Sequence, residues 1–238
     1  MLRVLVTRPE PGASQTARRL QDMGHQPILL PLTETTALPA DAGQVPADVS
    51  AVAITSANAL RHASKDLIAR LARLPCHAVG KRTAEAARKA GFLSVSEGPG
   101  DAEALADGIA AALAGQAVVY LCGRVRFPLF EQRLAAAGIR VHAVETYDTP
   151  AIGYADEAIL ARLSAQPVDA VLLYSAKAAV AMQDLTNRPA LRKAFETTRF
   201  FALSERIAAA FGGAAGKAIR IAERPEEEAL LALLRARR

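Results

Sequence analysis

The sequence predicts an α/β protein of two similar domains, each a parallel five-stranded sheet with helices on both faces. Three observations carry this expectation. Short β-branched runs alternate with alanine-rich stretches of helical period, the pattern of parallel sheets covered by helices. There are ten such runs, which fits two five-stranded sheets better than one very large one. Long segments of the first half also recur, in order, in the second.

In chain order, a strand at 3–7 (RVLVT) is followed by a helix over 14–23, stopped at Gly24, and a strand at 27–30. Strands at 52–55 and 77–79 come next, then a helix over 82–90 stopped at Gly91 and a strand at 93–96. A helix over 101–113, a strand at 117–121, a helix over 128–137 stopped at Gly138 and a strand at 140–144 follow. Strands at 170–174, 200–203 and 218–222 complete the set. Glycine is the usual residue just past a helix C-terminus, because it enters the left-handed region without a Cβ penalty.

The repeat makes the division explicit. "VLVTRPEPGASQTARRLQDMGHQPILLPLTET" aligns without a gap on "VVYLCGRVRFPLFEQRLAAAGIRVHAVETYDT", placing Arg19-Leu20 on Arg133-Leu134 and Gly24 on Gly138. "VAITSANAL" matches "VLLYSAKAA", "HAVGKRTAEAA" matches "FFALSERIAAA", and "SEGPGDAEALADGI" matches "IAERPEEEALLALL". Two stretches rich in Thr, Pro, Ala or Gly, residues 33–50 and 145–155, occupy equivalent places in the two copies and read as linkers. The chain is therefore expected to cross between domains twice.

Composition narrows the function. The 238 residues are 51% hydrophobic and 5% aromatic, enough to core two domains of about 100–150 residues. Cys76 and Cys122 show no CxxC spacing and are expected to be buried, reduced thiols of a cytoplasmic protein. No run reaches the ~20 apolar residues of a membrane span, and the apolar start is too short for a signal peptide. The formal charge is +5 with a pI near 9.5. Basic residues are scattered and no RNP-like aromatic motif occurs, so a small anion is expected rather than a nucleic acid. No acidic or aromatic surface stripe announces a partner, and a monomer is expected.

GxxxxGK[ST], GxSxG and HExxH are absent. Gly98 and Gly100 read as a turn, and "GGAAG" at 212–216 as a helix stop. His25, His62, His77 and His142 lack metal-ligand spacing, so neither metal nor cofactor is expected. What remains is a set of hydroxyl and basic residues just after strands: Thr7 and Arg8, Thr55 and Ser56, Lys81, Arg82 and Thr83, Arg124 and Arg126, Ser175 and Lys177, and 204–206. Ligands of open parallel sheets bind at strand carboxyl ends, where helix N-termini point free N–H groups at anions. For any one Ser or Thr a plain N-cap role competes with this reading. Recurrence of a cation beside the hydroxyl, in both copies, favours an anion site.

"VLVTRPEPGASQTARRLQDMGHQPILLPL", "AVAITSANAL", "HAVGKRTAEAARKAGF", "VVYLCGRVRFPLFEQRLAAAGIRVHAVETYDT" and "DAVLLYSAKAAV", in that order, resemble the uroporphyrinogen-III synthase family over nearly the whole chain. The resemblance implies two α/β domains joined by a two-stranded linker, one discontinuous (1–36 with 151–238) and one contiguous (37–150). It implies cyclisation of the linear tetrapyrrole hydroxymethylbilane, inverting the last pyrrole ring, without metal or cofactor. Eight substrate carboxylates would account for the strand-end cations. The family's cleft tyrosine near the linker falls on Tyr147, its "VGxxTA" threonine on Thr83, and its post-strand serines on Ser56 and Ser175. Three positions depart from the family pattern: Ile207 where a second Thr is usual, Phe127 where an Arg often stands, and Lys177 in place of a common Pro. The competing class is a hinged two-domain binding protein for a small polyanion, without catalysis.

Overall fold

The computed structural model describes residues 1–126, 128–212 and 219–235. Along the chain run β1 (Arg3–Val6), α1 (Gly12–Asp22), β2 (Gln26–Leu29), β3 (Thr36–Ala37), β4 (Val49–Ile54), α2 (Ala57–His62), α3 (Lys65–Leu71) and β5 (Cys76–Ala78). Then come α4 (Lys81–Ala90), β6 (Val95–Glu97), α5 (Ala102–Leu113), β7 (Ala117–Gly123), α6 (Pro128–Ala136) and β8 (Arg140–Asp148). The last stretch holds α7 (Asp156–Arg162), β9 (Ala170–Leu173), α8 (Ala176–Asn187), α9 (Arg192–Phe195), β10 (Arg199–Ala202), α10 (Glu205–Phe211), β11 (Ile219–Ile221) and α11 (Glu227–Ala232). These elements form two compact units, one of Met1–Thr35 with Pro150–Arg238 and one of Thr36–Thr149.

The sheet of the discontinuous unit has the order β11-β10-β9-β1-β2, all parallel. Its three inner strands, β1, β9 and β10, are buried on both faces because successive residues feed different cores. Leu5, Val171, Leu173 and Phe200 pack with Ile159, Met182, Phe195 and Phe211. Their neighbours Val4, Val6, Leu172 and Phe201 pack with Leu20, Leu230 and Leu234 on the other face. Pro27, which has no N–H to give, is accommodated because β2 lies at the sheet edge.

The central unit repeats the plan with the order β3-β8-β7-β4-β5-β6, its five longer-range strands parallel. Val52, Ile54, Val119 and Leu121 pack against Leu60, Leu67, Leu71 and Ala87 of α2, α3 and α4. Ala51, Ala53, Val118 and Tyr120 face Ile109, Phe130 and Leu134 of α5 and α6. The expected helix stops hold: Gly24, Gly91 and Gly138 take φ of 78°, 108° and 76°. Gly212 likewise ends α10, while the rest of the 212–216 run lies outside the described residues.

The sixth strand, β3, is a feature that sequence reading missed. It pairs antiparallel with the end of β8, Thr36 against Asp148 and Ala37 against Tyr147. A bridge between Thr33 and Ala151 continues the two-chain ladder within the discontinuous unit. Two expectations are corrected as a result. β8 runs to Asp148 rather than ending near residue 144, because β3 supplies a ladder for its extension. Most of 33–50 is no linker either: Ala40 and Val45 are buried in the central unit's core, and the Ser64 hydroxyl donates to the Ala40 carbonyl at 3.1 Å.

Thr146, fully buried in β8, donates to the Ala59 carbonyl of α2 at 2.8 Å. The last carbonyls of a short helix have no partner within it, so this bond ties α2 to the sheet. Thr146→Val keeps the volume and removes the donor. It is expected to cost about 1–2 kcal/mol, read as an earlier melting transition in the central unit. Unchanged melting would show that the Ala59 carbonyl is satisfied otherwise.

Candidate active site

In an all-parallel arrangement every strand points its carboxyl end to the same edge, and ligands gather where the strand order reverses. In the discontinuous unit that point lies between β1 and β9, and in the central unit between β4 and β7. The sequence-predicted residues after β1, β9, β4 and β7 border these points, whereas those after β5 and in β8 lie one strand further out. Arg8 succeeds β1, and Ser175 and Lys177 succeed β9. Ser56 succeeds β4, Lys81, Arg82 and Thr83 open α4 after β5, Arg124 and Arg126 succeed β7, and Tyr147 stands in β8. Each unit thus collects its own candidates at one sheet edge.

Several of these side chains already have protein partners. Ser56 and Ser175 are N-caps, accepting from the backbone N–H of Asn58 and Ala178 at 3.2 Å each. The Arg8 guanidinium lies 4.4 Å from the centre of the Tyr174 ring and 3.2 Å from Glu227. Glu227 also accepts from the hydroxyls of Thr16 and Tyr174 and pairs with Arg19 at 3.0 Å. Burial alone would raise the Glu227 carboxyl. Thr16, Arg8, Tyr174 and Arg19 together outweigh it and hold the group below the usual range. Burial pushes the Tyr174 phenol well up, so it stays a donor.

Arg126 is pinned in the same way. It pairs with Glu131 and Glu145, each at 2.8 Å. The Glu131 hydrogen bond, with that of Glu145, raises its already high pKa. Arg124 is more open and reaches Glu145 at 3.2 Å and Asp148 at 3.6 Å. The hydrogen bond from Arg126 holds the Glu145 carboxyl low. Beside them the Tyr120 phenol, pushed up to about 12 by burial, shares a 2.7 Å hydrogen bond with Thr55.

Lys81 and Arg82 differ. Both are exposed at the start of α4, Gly80 caps that helix without a side chain, and its first turn carries no acid. Among the described residues neither makes an ion pair. Cations at a helix N-terminus add to the positive end of the macrodipole and leave the site suited to an anion. Thr83, the next residue, is buried.

Tyr147 is half-buried, with its ring against Gly123 and 6.0 Å from the His62 ring. Among the described residues its hydroxyl has no hydrogen-bond partner, so the donor is available. Ile207, at the position of the family's second Thr, packs in the core of its unit, and Phe127 lies outside the described residues. Sequence reasoning missed Thr16, Arg19, Tyr174, Glu227, Glu131, Glu145 and Gly123. The partners of Arg8 come from positions up to 219 residues away, and no local spacing signals such a contact.

Fold and strand-end residues together define a duplicated, doubly wound α/β protein with cations and hydroxyls at the carboxyl ends of its strands. The model of the family described as Uroporphyrinogen-III synthase HemD matches residues 14–232, and the chain belongs to that family, whose enzymes act in tetrapyrrole biosynthesis. Its fold is that of the uroporphyrinogen-III synthetase of Helicobacter pylori, with a TM-score of 0.69 at 18% identity over 98% of each chain. A mutant uroporphyrinogen III synthase from the extremely thermophilic bacterium Thermus thermophilus is also similar, with a TM-score of 0.57 at 19% identity, covering 99% of this chain and 98% of that one. No curated protein matches the chain. Nothing in the comparisons favours a binding protein without catalysis. No helix of the described residues is long and apolar enough to cross a membrane.

Proposed function

We propose that this chain is a cyclising hydro-lyase that converts hydroxymethylbilane to uroporphyrinogen III with inversion of the last pyrrole ring. The observation that carries this reading is the family match over 14–232. Loss of the first-ring hydroxyl, as water, leaves an electrophilic azafulvene. The last ring attacks it unaided at its free carbon, giving the uninverted isomer. Attack instead through the already substituted carbon gives a spirocyclic intermediate, whose rearrangement yields the inverted product. The protein's task is orientation, which supplies up to ~7–11 kcal/mol of a barrier.

In this reading Tyr147 donates a hydrogen bond to the departing hydroxyl; the free phenol on β8 supports the role. The candidate carboxylate holders are Lys81, Arg82, Ser56, Arg124 and Arg126 in the central unit, with Thr83 itself buried, and Arg8, Ser175 and Lys177 in the discontinuous unit. Lys81 and Arg82 carry most of the Coulombic attraction, since Arg8 and Arg126 are largely neutralised by Glu227, Glu131 and Glu145. The two units serve as the two domains of a cytoplasmic monomer. Two unpaired, buried cysteines support the cytoplasmic part of that assignment.

The direct experiment supplies hydroxymethylbilane and separates the uroporphyrin isomers after oxidation. Isomer III above the spontaneous isomer I background is expected. Isomer I alone overturns the reading.

A second measurement tests the charge. Arg82→Ala is expected to raise KM about 10-fold, since one charge-assisted hydrogen bond among several contributes about 1.5–3 kcal/mol without simple additivity. Its salt dependence should be shallower than that of the wild type, because the removed charge is exposed and screened over about 8 Å at physiological ionic strength. A KM identical to wild type at low salt would remove Arg82 from the site.

A further inference from the structure

The geometry points to Gly123 as the residue that positions the Tyr147 phenol. This inference rests on the proposed role of Tyr147 and adds what holds its hydroxyl in place. β7 and β8 pair residue by residue until Cys122 faces Glu145, after which Gly123 faces Tyr147 and Thr146 is skipped. Such a bulge re-aims the side chains around it. Thr146 turns into the core, toward the Ala59 carbonyl, and Tyr147 is laid beside the last residue of β7. That residue has no side chain. A Cβ on Gly123 would stand 2.6 Å from Cζ, 2.8 Å from Cε2 and 3.0 Å from the hydroxyl of Tyr147. The end of the ring occupies the space that any other residue at 123 would fill.

The strand itself has little freedom to yield. The Tyr147 backbone is held between β7 and β3, and its carbonyl accepts from the Arg124 N–H at 2.8 Å. The ring is further bounded by His62 and by apolar contact with the core of the central unit. A methyl group at 123 therefore displaces the ring rather than the strand, and the hydroxyl moves with it by an amount on the order of 1 Å. Misplacement of a reacting group by that much costs up to about 10²-fold in rate. Gly123 is not among the glycines with positive φ, so Ala at this position probes the missing side chain and not the backbone.

The test compares Gly123→Ala, Tyr147→Phe and the double variant on hydroxymethylbilane, measuring kcat, KM and melting temperature for each. Gly123→Ala is expected to lower kcat about 10–10²-fold, with KM and melting close to wild type. The double variant should be no slower than Tyr147→Phe, because the two changes act on one group and do not add. Additive losses would show that Gly123 acts elsewhere, and a wild-type rate for Gly123→Ala beside a slow Tyr147→Phe would overturn the positioning role alone. A wild-type rate for Tyr147→Phe would bring down both the role of Tyr147 and this inference. Should Gly123→Ala melt early, the Tyr147→Ala background decides. With the ring removed the added methyl has room, and Gly123→Ala should then cause no further loss of stability; a further loss overturns the inference.

Discussion

Tyr147→Phe is expected to lower turnover by about 10²-fold while melting within a degree or two of the wild type. Proton donation by a positioned side chain contributes typically 10²–10⁴-fold, and the first-ring hydroxyl leaves readily, which places the effect at the low end. Stability should hardly change because the phenolic oxygen has no partner among the described residues, while the ring, which Phe retains, makes the contacts with Gly123 and the core. The remaining turnover should still give isomer III, since the direction of ring closure depends on how the substrate is held. A Phe variant with full activity, beside a Tyr147→Ala variant that melts early, would make the residue a packing group.

The second large effect concerns Glu227. Its carboxylate joins Arg8, Arg19, Thr16 and Tyr174, and Thr16 is fully buried. Glu227→Ala leaves these groups without their shared acceptor. The side chain retains 23% exposure, so water compensates in part, and the expected loss is about 2–3 kcal/mol. That corresponds to roughly 5–10 °C in the melting of the discontinuous unit. Melting unchanged from wild type would show that the cluster contributes nothing net.

The sign of the pH dependence follows from the lowered carboxyl. A group whose folded pKa lies below its unfolded value of about 4.3 stabilises the fold fully above that pH. The contribution is lost as pH falls through the folded value. Glu227→Gln cannot titrate. Its stability deficit relative to wild type should therefore be constant near neutrality and shrink below about pH 4. A deficit that stays the same down to pH 3 would show that the charge of Glu227 is not what stabilises the cluster.

All ten strand runs read from the sequence form strands, because β-branched and aromatic residues fit a pleated, packed surface. The three glycine stops were legible for a local reason as well. The repeat exposed the duplicated plan, and the ordered motifs exposed the family. What β3 does was not legible: two residues, Thr36 and Ala37, carry no periodic signal, and only the distant partner β8 makes them a strand. The sequence by itself determined the α/β class, the placement of hydroxyl and basic residues at strand ends, and Tyr147 as a candidate. Only the tertiary structure decided that Arg8 and Arg126 are paired with acids. Arg8 and Arg126 look like Lys81 and Arg82 in the sequence, but long-range packing brings Glu227 to the first and Glu145 to the second. It also decided that Tyr147 lies over Gly123, because a bulge late in β8 sets a register that no local pattern encodes.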